Sequence, residues 1–167
     1  GAITYEIIYS TIMSTKDYKN PIPTVDAIIQ RGSDILLIKR KKDPFKNMLA
    51  LPGGFVNENE TVEEAIIREI REETTLEIRL LEILGVYSDP KRDPRKHIMT
   101  IVFIGEIKGD KSIEAKAADD ASEIIWLSLE LIEKDTFAFD HKIIIKDYKE
   151  WILGHGTFWS AKNRTNP

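Results

Sequence analysis

The sequence contains no cysteine, and this absence excludes several kinds of chemistry at once. Disulfide bonds, thiol nucleophiles and cysteine-ligated zinc sites all require that residue. A chain of 167 residues does not depend on disulfides for stability, because it can bury roughly 70% of its unfolded surface in one core. The fold must therefore be stabilised by apolar packing, and any catalysis must use oxygen and nitrogen groups.

Long apolar runs and an excess of positive charge are also missing. Runs such as 143–145 are far shorter than the roughly 20 residues that span a bilayer. The chain has 24 basic and 28 acidic residues, a net charge of -4, which argues against a broad nucleic-acid-binding face. Residues 1–4 do not begin a secretory signal, so we expect a cytoplasmic protein without a membrane or nucleic-acid partner.

The pattern of apolar and turn residues predicts strands on both sides of one central helix. This arrangement indicates an α+β fold, an α/β/α sandwich with a mixed sheet, formed by residues 1–167 as a single domain. Residues 1–20 form an N-terminal extension with an edge strand, and the tail at 154–167 has no clear period. The predicted strands lie at 3–13, 25–29, 35–38, 76–86, 98–107 and 124–127, and the predicted helices at 61–74, 129–134 and 142–153.

The helix at 61–74 has the clearest signals. Thr61 and Glu64 have the spacing of a capping box. An apolar stripe through Val62 and Ile66 continues into Glu69 and Glu73, with Glu72 beside it, whereas Arg68 is expected to project elsewhere. Clustered carboxylates that are partly buried favour a bound cation, and oxygen ligands suit a hard divalent ion. A solvated acidic helix end is the alternative.

Two glycines, Gly53 and Gly54, come shortly before this helix. Glycine lets the backbone approach a metal ion or a phosphate closely, although a plain turn would use the same residues. Together with the acidic helix, they point to phosphoryl chemistry assisted by a cation.

The residues at 54–76 resemble the Nudix box, Gly-x5-Glu-x7-Arg-Glu-U-x-Glu-Glu-x-Gly-U, in which U is aliphatic. The match consists of Gly54, Glu60, Arg68-Glu69-Ile70, Glu72-Glu73 and Leu76. One position departs from the pattern, because Thr75 stands where the family has glycine. This substitution is expected to strain the helix exit, where glycine eases a positive φ.

Further segments resemble the ADP-ribose pyrophosphatase branch of the family. They cover roughly residues 24–145 and include Thr24-Val25-Asp26, Leu36-Leu37-Ile38-Lys39-Arg40, Ala50-Leu51-Pro52-Gly53-Gly54, Arg92-Asp93-Pro94-Arg95 and Phe139-Asp140-His141. The resemblance implies hydrolysis of the diphosphate linkage of ADP-ribose, giving AMP and ribose 5-phosphate, with Mg²⁺ or Mn²⁺ as cofactor. It also implies a possible homodimer, with residues 3–13 as a pairing edge.

The resemblance also implies a role for each matching residue. Metal ligands would be Gly53 through its carbonyl, Glu69, Glu72 and Glu73; Glu60 would assist at the metal or structurally, and Arg68 would orient the carboxylates. The general base would come from Asp119, Asp120 or Glu123, or be Glu72. Residues expected to contact substrate are Arg40, Arg92 and Arg95 at the phosphates or the terminal ribose, and Phe45 at the adenine; for each of them a surface or packing role is the alternative.

Three other functions stay open on the sequence. The substrate could be another nucleoside diphosphate derivative, such as a dinucleotide or a nucleotide sugar. The chain could instead be an ADP-ribose-sensing regulator without catalysis, although its intact carboxylates argue against that. It could also be one domain of a longer bifunctional enzyme of NAD metabolism.

Overall fold

The computed structural model describes residue 4 and residues 18–117 and 122–164. Within these residues, eight strands form a mixed sheet: β1 Ile22–Arg31, β2 Asp34–Arg40, β3 Leu49–Ala50, β4 Gly53–Phe55, β5 Ile78–Tyr87, β6 Ile98–Ile107, β7 Ser122–Ser128 and β8 Phe158–Trp159. The α-helices are α1 Val62–Thr74 and α2 His141–Gly154, and Leu129–Lys134 form a 3₁₀ helix. The predicted edge strand at 3–13 falls outside the described residues, apart from residue 4.

The strand order is β3-β2-β1-β6-β5-β8, with β4 also paired to β1 and β7 to β2. The strands β1 and β2 form the antiparallel hairpin that the turn at 32–34 predicts. The pair β1–β6 is parallel and the pair β5–β6 is antiparallel, which confirms a mixed sheet.

Two apolar clusters lie on opposite faces of the sheet. One includes Ile66 and Ile70 of α1 with Val25 of β1. The other includes Ile144 and Ile145 of α2 together with Ile28 of β1. Because β1 contributes to both clusters, it is covered on both faces, and the predicted α/β/α sandwich is confirmed. No helix in the described part of the chain is long and apolar enough to cross a membrane.

Helix α1 begins and ends as the sequence predicts. Thr61 and Glu64 form both hydrogen bonds of the capping box. At the other end, Thr75 has φ 63 and ψ 2, in the left-handed region, and its N–H donates to the Arg71 carbonyl. The threonine thus occupies a conformation that glycine would adopt at lower cost.

Candidate active site

The glycine strand β4 lies directly against the acidic end of α1. A Cβ atom added to Gly54 would lie 2.4 Å from the carboxylate carbon of Glu69. The N–H of Gly53 donates to Glu73 Oε1 at 3.3 Å. Glycine is therefore required at both positions, because a side chain at Gly54 would overlap the Glu69 carboxylate and one at Gly53 would overlap the backbone of β1.

Glu69 and Glu73 form a crowded pair beside this strand. The Glu69 side chain is only 15% exposed. Burial, reinforced by the negative charge of Glu69, raises the pKa of Glu73 to about 9. Two desolvated carboxylates in contact are unfavourable unless a proton or a cation lies between them.

Arg68 lies among the carboxylates, so the expectation that it projects elsewhere was wrong. Its guanidinium donates to Glu60 at 2.7 and 3.0 Å, to Glu69 at 3.0 Å and to Glu72 at 3.2 Å. It also donates to the carbonyl of Phe55 at 3.0 Å. Through these bonds Arg68 connects Phe55 and Glu60, at the start of the Nudix box, to helix α1. Hydrogen bonds from Arg68 and from the N–H of Asn57 lower the pKa of Glu60.

Glu72 differs from the other box acids because its side chain is 58% exposed. Its described contact is the ion pair with Arg68, four residues earlier on the helix. Glu72 is therefore free to face solvent or a bound molecule, whereas Glu60 is fully engaged by Arg68 and by the Asn57 N–H.

Two cavities meet at the glycine strand. The Glu73 cavity, of about 260 Å³, is lined by Glu73, Ser122 and the basic residues Arg40, Lys41 and Lys42. The Phe139 cavity, of about 150 Å³, is lined by Phe139 and by residues of β1 and of the loop 88–97. Both are lined by Arg40 and Gly53, so they lie side by side at the loop that carries the glycines, and together they are called the cleft.

Two guanidinium groups converge on the Phe139 ring. The Cζ atoms of Arg40 and Arg95 lie 5.1 and 5.6 Å from its centroid. Burial, and then the positive charge of Arg95, lower the pKa of Arg40. Phe45 packs edge-on against Phe139, with 4.9 Å between centroids, so it supports this aromatic wall. Paired guanidiniums on a cleft wall suit an anionic ligand.

Arg92 occupies a different environment from the other two arginines. Its side chain is 4% exposed and binds Asp140 through two hydrogen bonds of 2.6 and 2.9 Å. Burial opposes its charge, but the Asp140 carboxylate outweighs burial and raises the pKa of Arg92 overall. Arg92 therefore lines the Phe139 cavity with its guanidinium already paired, and it holds the loop to the start of α2.

Asp26 and His141 are buried beside the glycine strand, and the sequence analysis gave neither residue a part in the site. Asp26 accepts a hydrogen bond from the Thr100 hydroxyl at 2.6 Å, and its carboxylate lies 3.9 Å from His141 Nε2. His141 Nδ1 accepts from the N–H of Leu51 at 2.9 Å, and burial lowers the pKa of this histidine. The sequence did contain a sign of them, because Asp26 and His141 belong to the segments at 24–26 and 139–141 that resemble the ADP-ribose pyrophosphatase branch.

The proposed general bases fall into two groups. Asp119 and Asp120 lie outside the described residues. Glu123 is exposed on β7, and it does not line either part of the cleft, whereas its neighbour Ser122 lines the Glu73 cavity. Side chains alternate along a strand, so Glu123 points away from the face that Ser122 presents to the cleft.

Within residues 18–117 and 122–164, no three carboxylates or histidines are arranged so that they could hold a metal ion by themselves. The donor set nevertheless fits a hard divalent cation, because Glu69 and Glu73 place two carboxyl groups together in a desolvated site, where a cation would replace the proton that the raised pKa of Glu73 retains. Further oxygen ligands would have to come from Glu72, from the backbone, from water or from a substrate.

Comparison with known proteins agrees with this geometry. The NUDIX domain model matches residues 20–148. An ADP-ribose pyrophosphatase from Methanocaldococcus jannaschii is 53% identical over 137 residues, which are 82% of this chain and 78% of that protein.

Two solved structures have the same fold. A MutT/nudix family protein from Enterococcus faecalis has a TM-score of 0.75 and 32% identity, over 92% of this chain and 70% of that one. A bifunctional NMN adenylyltransferase/ADP ribose pyrophosphatase from Francisella tularensis, complexed with AMP and a Mn ion, has a TM-score of 0.67 and 32% identity, over 92% and 47% of the two chains. With its box residues gathered around the glycine strand, this chain belongs to the NUDIX domain family.

Proposed function

We propose that this chain is a Nudix pyrophosphohydrolase that cleaves the diphosphate linkage of ADP-ribose into AMP and ribose 5-phosphate. The observation that carries the proposal is that Glu73, which is in contact with Glu69, lines the same cavity as the basic residues Arg40, Lys41 and Lys42. The 53% identity to an ADP-ribose pyrophosphatase, spread over most of both chains, supports the same substrate.

Glu69 and Glu73 would hold a divalent cation, Mg²⁺ or Mn²⁺, with Glu72 and the Gly53 carbonyl as further candidate ligands. When bound, such a cation would neutralise negative charge on the diphosphate oxygens. A related structure contains a Mn ion, which supports the choice of metal. Arg68 would keep the carboxylates in place through its bonds to Glu60, Glu69 and Glu72.

The reaction itself is the addition of one water molecule across a phosphorus–oxygen bond. Water attacks one phosphorus, the bond from that phosphorus to the bridging oxygen breaks, and the other phosphate leaves with that oxygen. A general base must accept a proton from the water. Asp119, Asp120 and Glu72 are the proposed bases, and Glu123 is the weaker candidate because it does not line the cleft.

The basic side of the cleft would bind the substrate. Arg40 and Arg95 present guanidinium groups to the cleft beside Phe139, where they would pair with phosphate or ribose oxygens. Arg92 is paired with Asp140 and is 4% exposed, so we assign it to holding the loop 88–97, whereas Arg95, paired with Asp93, is 42% exposed and accessible to a ligand. Phe45 contacts Phe139 and would shape the aromatic wall. That the protein is a cytoplasmic homodimer stays a prediction from the sequence.

The test is a Mg²⁺-dependent hydrolysis panel. It compares ADP-ribose with NADH, diadenosine polyphosphates, nucleotide sugars and nucleoside triphosphates at equal concentration. The proposal predicts the highest kcat/KM for ADP-ribose. Equal or faster turnover of the triphosphates would refute the substrate assignment, and no turnover of any diphosphate would refute the enzymatic function.

A further inference from the structure

The loop 88–97, between β5 and β6, carries part of the cleft wall. Its residues Arg92, Asp93 and Arg95 line the Phe139 cavity. Arg95 is bound to Asp93 of the same loop at 2.8 Å, so its position depends on where the loop lies. The contacts that hold this loop therefore decide how the Arg95 guanidinium meets a ligand.

One side chain of the C-terminal segment holds the beginning of the loop. Ser160 Oγ accepts hydrogen bonds from the N–H of Ser88 at 2.9 Å and from the N–H of Asp89 at 3.2 Å. The Asp89 carbonyl in turn accepts from the N–H of Arg92 at 3.1 Å. A short series of hydrogen bonds thus links Ser160 to the residues that line the cleft.

The C-terminal segment is itself anchored to the body of the protein. The strand β8 pairs with β5 at Gly85 and Val86. The Arg164 guanidinium donates to the buried carboxylate of Asp147 on α2 at 3.0 and 3.1 Å and to the Ser160 carbonyl at 2.8 Å. Asp147 also accepts from the Tyr87 hydroxyl at 2.8 Å. Ser160 is therefore held at a fixed place relative to α2 and β5.

Side-chain packing between the loop and the segment is loose. A cavity of about 570 Å³ is lined on one side by residues 88–91 and on the other by residues 159–161. The bonds to Ser160 Oγ therefore hold the beginning of the loop, whereas the Arg92–Asp140 pair holds its middle.

We propose that Ser160 is a positioning residue for substrate binding, which acts by fixing the loop 88–97 and thereby the Arg95 guanidinium, with Arg164 holding Ser160 in place. This inference rests on the proposed function, since it concerns how the same cleft binds its substrate. It also brings into the site a segment for which the sequence shows no periodicity and no motif.

The experiment compares Ser160→Ala and Ser160→Thr with the wild type, using ADP-ribose and Mg²⁺ at 25 °C. Alanine removes the acceptor oxygen, whereas threonine keeps it. We expect Ser160→Ala to raise KM about three- to tenfold with kcat within twofold, because the weakened contact lies at the binding wall and not at the bond that breaks. Ser160→Thr should restore a KM close to that of the wild type. The matched control is Ser112→Ala, which removes a hydroxyl from an exposed turn, where it is bonded to Asp110.

A readout that does not depend on activity is amide hydrogen exchange. We expect the amides of Ser88 and Asp89 to exchange faster in Ser160→Ala, while the amides of β1 are unchanged. An unchanged exchange rate at 88 and 89, or an unchanged KM with faster exchange, would overturn the inference. If the wild type fails to hydrolyse ADP-ribose, the proposed function fails. The exchange measurement then decides by itself whether Ser160 holds the loop.

Discussion

Replacing Glu73 with glutamine keeps the shape of the side chain and removes one negative charge from the crowded pair. Glutamine retains a carbonyl oxygen, so the hydrogen bond from the Gly53 N–H can persist. The substitution therefore tests the charge of Glu73 and leaves the local packing nearly unchanged. It has opposite expected effects on stability and on activity, which makes it informative.

The stability effect follows from the raised pKa of Glu73, about 9 in the folded protein against an ordinary 4.5. Below pH 4.5 the Glu73 carboxyl is protonated in both the folded and the unfolded protein, so it does not lower the free energy of unfolding. Between 4.5 and 9 the folded protein keeps the proton that the unfolded chain loses, so the free energy of unfolding falls as pH rises. At pH 7 the cost approaches about 3 kcal/mol, since each pH unit contributes about 1.4 kcal/mol.

Glutamine carries no charge, so Glu73→Gln escapes this cost. The gain should be smaller than the full cost, because the repulsion is a property of the Glu69–Glu73 pair and part of it can be relieved at Glu69. We therefore expect the metal-free variant to be more stable by about 1–3 kcal/mol at pH 7, a rise in Tm of about 3–10 °C. Below pH 4.5 the difference should vanish. Mg²⁺ should raise the Tm of the wild type by mass action and raise that of the variant much less.

The activity effect has the opposite sign. Loss of charge stabilisation at a reacting centre commonly costs about 3–4 kcal/mol, or a factor of roughly 10²–10³ in turnover. The assays are ADP-ribose hydrolysis and thermal melts with and without Mg²⁺. Glu63→Gln, an exposed acid on the same helix, serves as control and should behave like the wild type. Near-normal turnover together with undiminished stabilisation by Mg²⁺ would show that Glu73 is not a ligand.

Four other variants test separate parts of the protein. Changing Asp119, Asp120 and Glu123 together to Asn or Gln should lower turnover with little change in Tm, and unchanged turnover would remove this segment from the mechanism. Arg92→Ala removes the buried partner of Asp140 and should cost about 3–5 kcal/mol of stability. Arg95→Ala leaves the 3% exposed Asp93 carboxylate without its partner, so it should lower Tm as well, and it should in addition raise KM; an unchanged Tm in either variant, or an unchanged KM in Arg95→Ala, would contradict these assignments. Thr75→Gly should raise Tm by about 1–4 °C because it relieves the positive φ at the helix exit, and a lower Tm would refute that reading.

The sequence predicts those features of the fold that depend on local patterns. The capping box at Thr61, the β1–β2 hairpin and the strand at 98–107 are all found as predicted, because each is specified by a few neighbouring residues. The two-residue strand β8 was missed, since its position depends on pairing with β5 and not on any periodicity of its own.

The candidate site was predictable where it depends on helix geometry. The spacing of Glu69 and Glu73 places both carboxylates on the side of α1 that faces the glycine strand. The predicted direction of the Arg68 side chain was wrong, because a long side chain can curve back towards carboxylates that neighbour it on the helix. The sequence also gives no sign that Arg92 is buried, because its partner Asp140 is 48 residues away along the chain.

The central claim is that this cleft hydrolyses the diphosphate linkage of ADP-ribose with help from a divalent cation. The most direct test is to incubate the protein with ADP-ribose and quantify AMP and ribose 5-phosphate over time, with Mg²⁺ present and with EDTA in its place. The account predicts equimolar release of the two products with Mg²⁺ and none with EDTA. Intact ADP-ribose under both conditions, or release that EDTA does not affect, would contradict it.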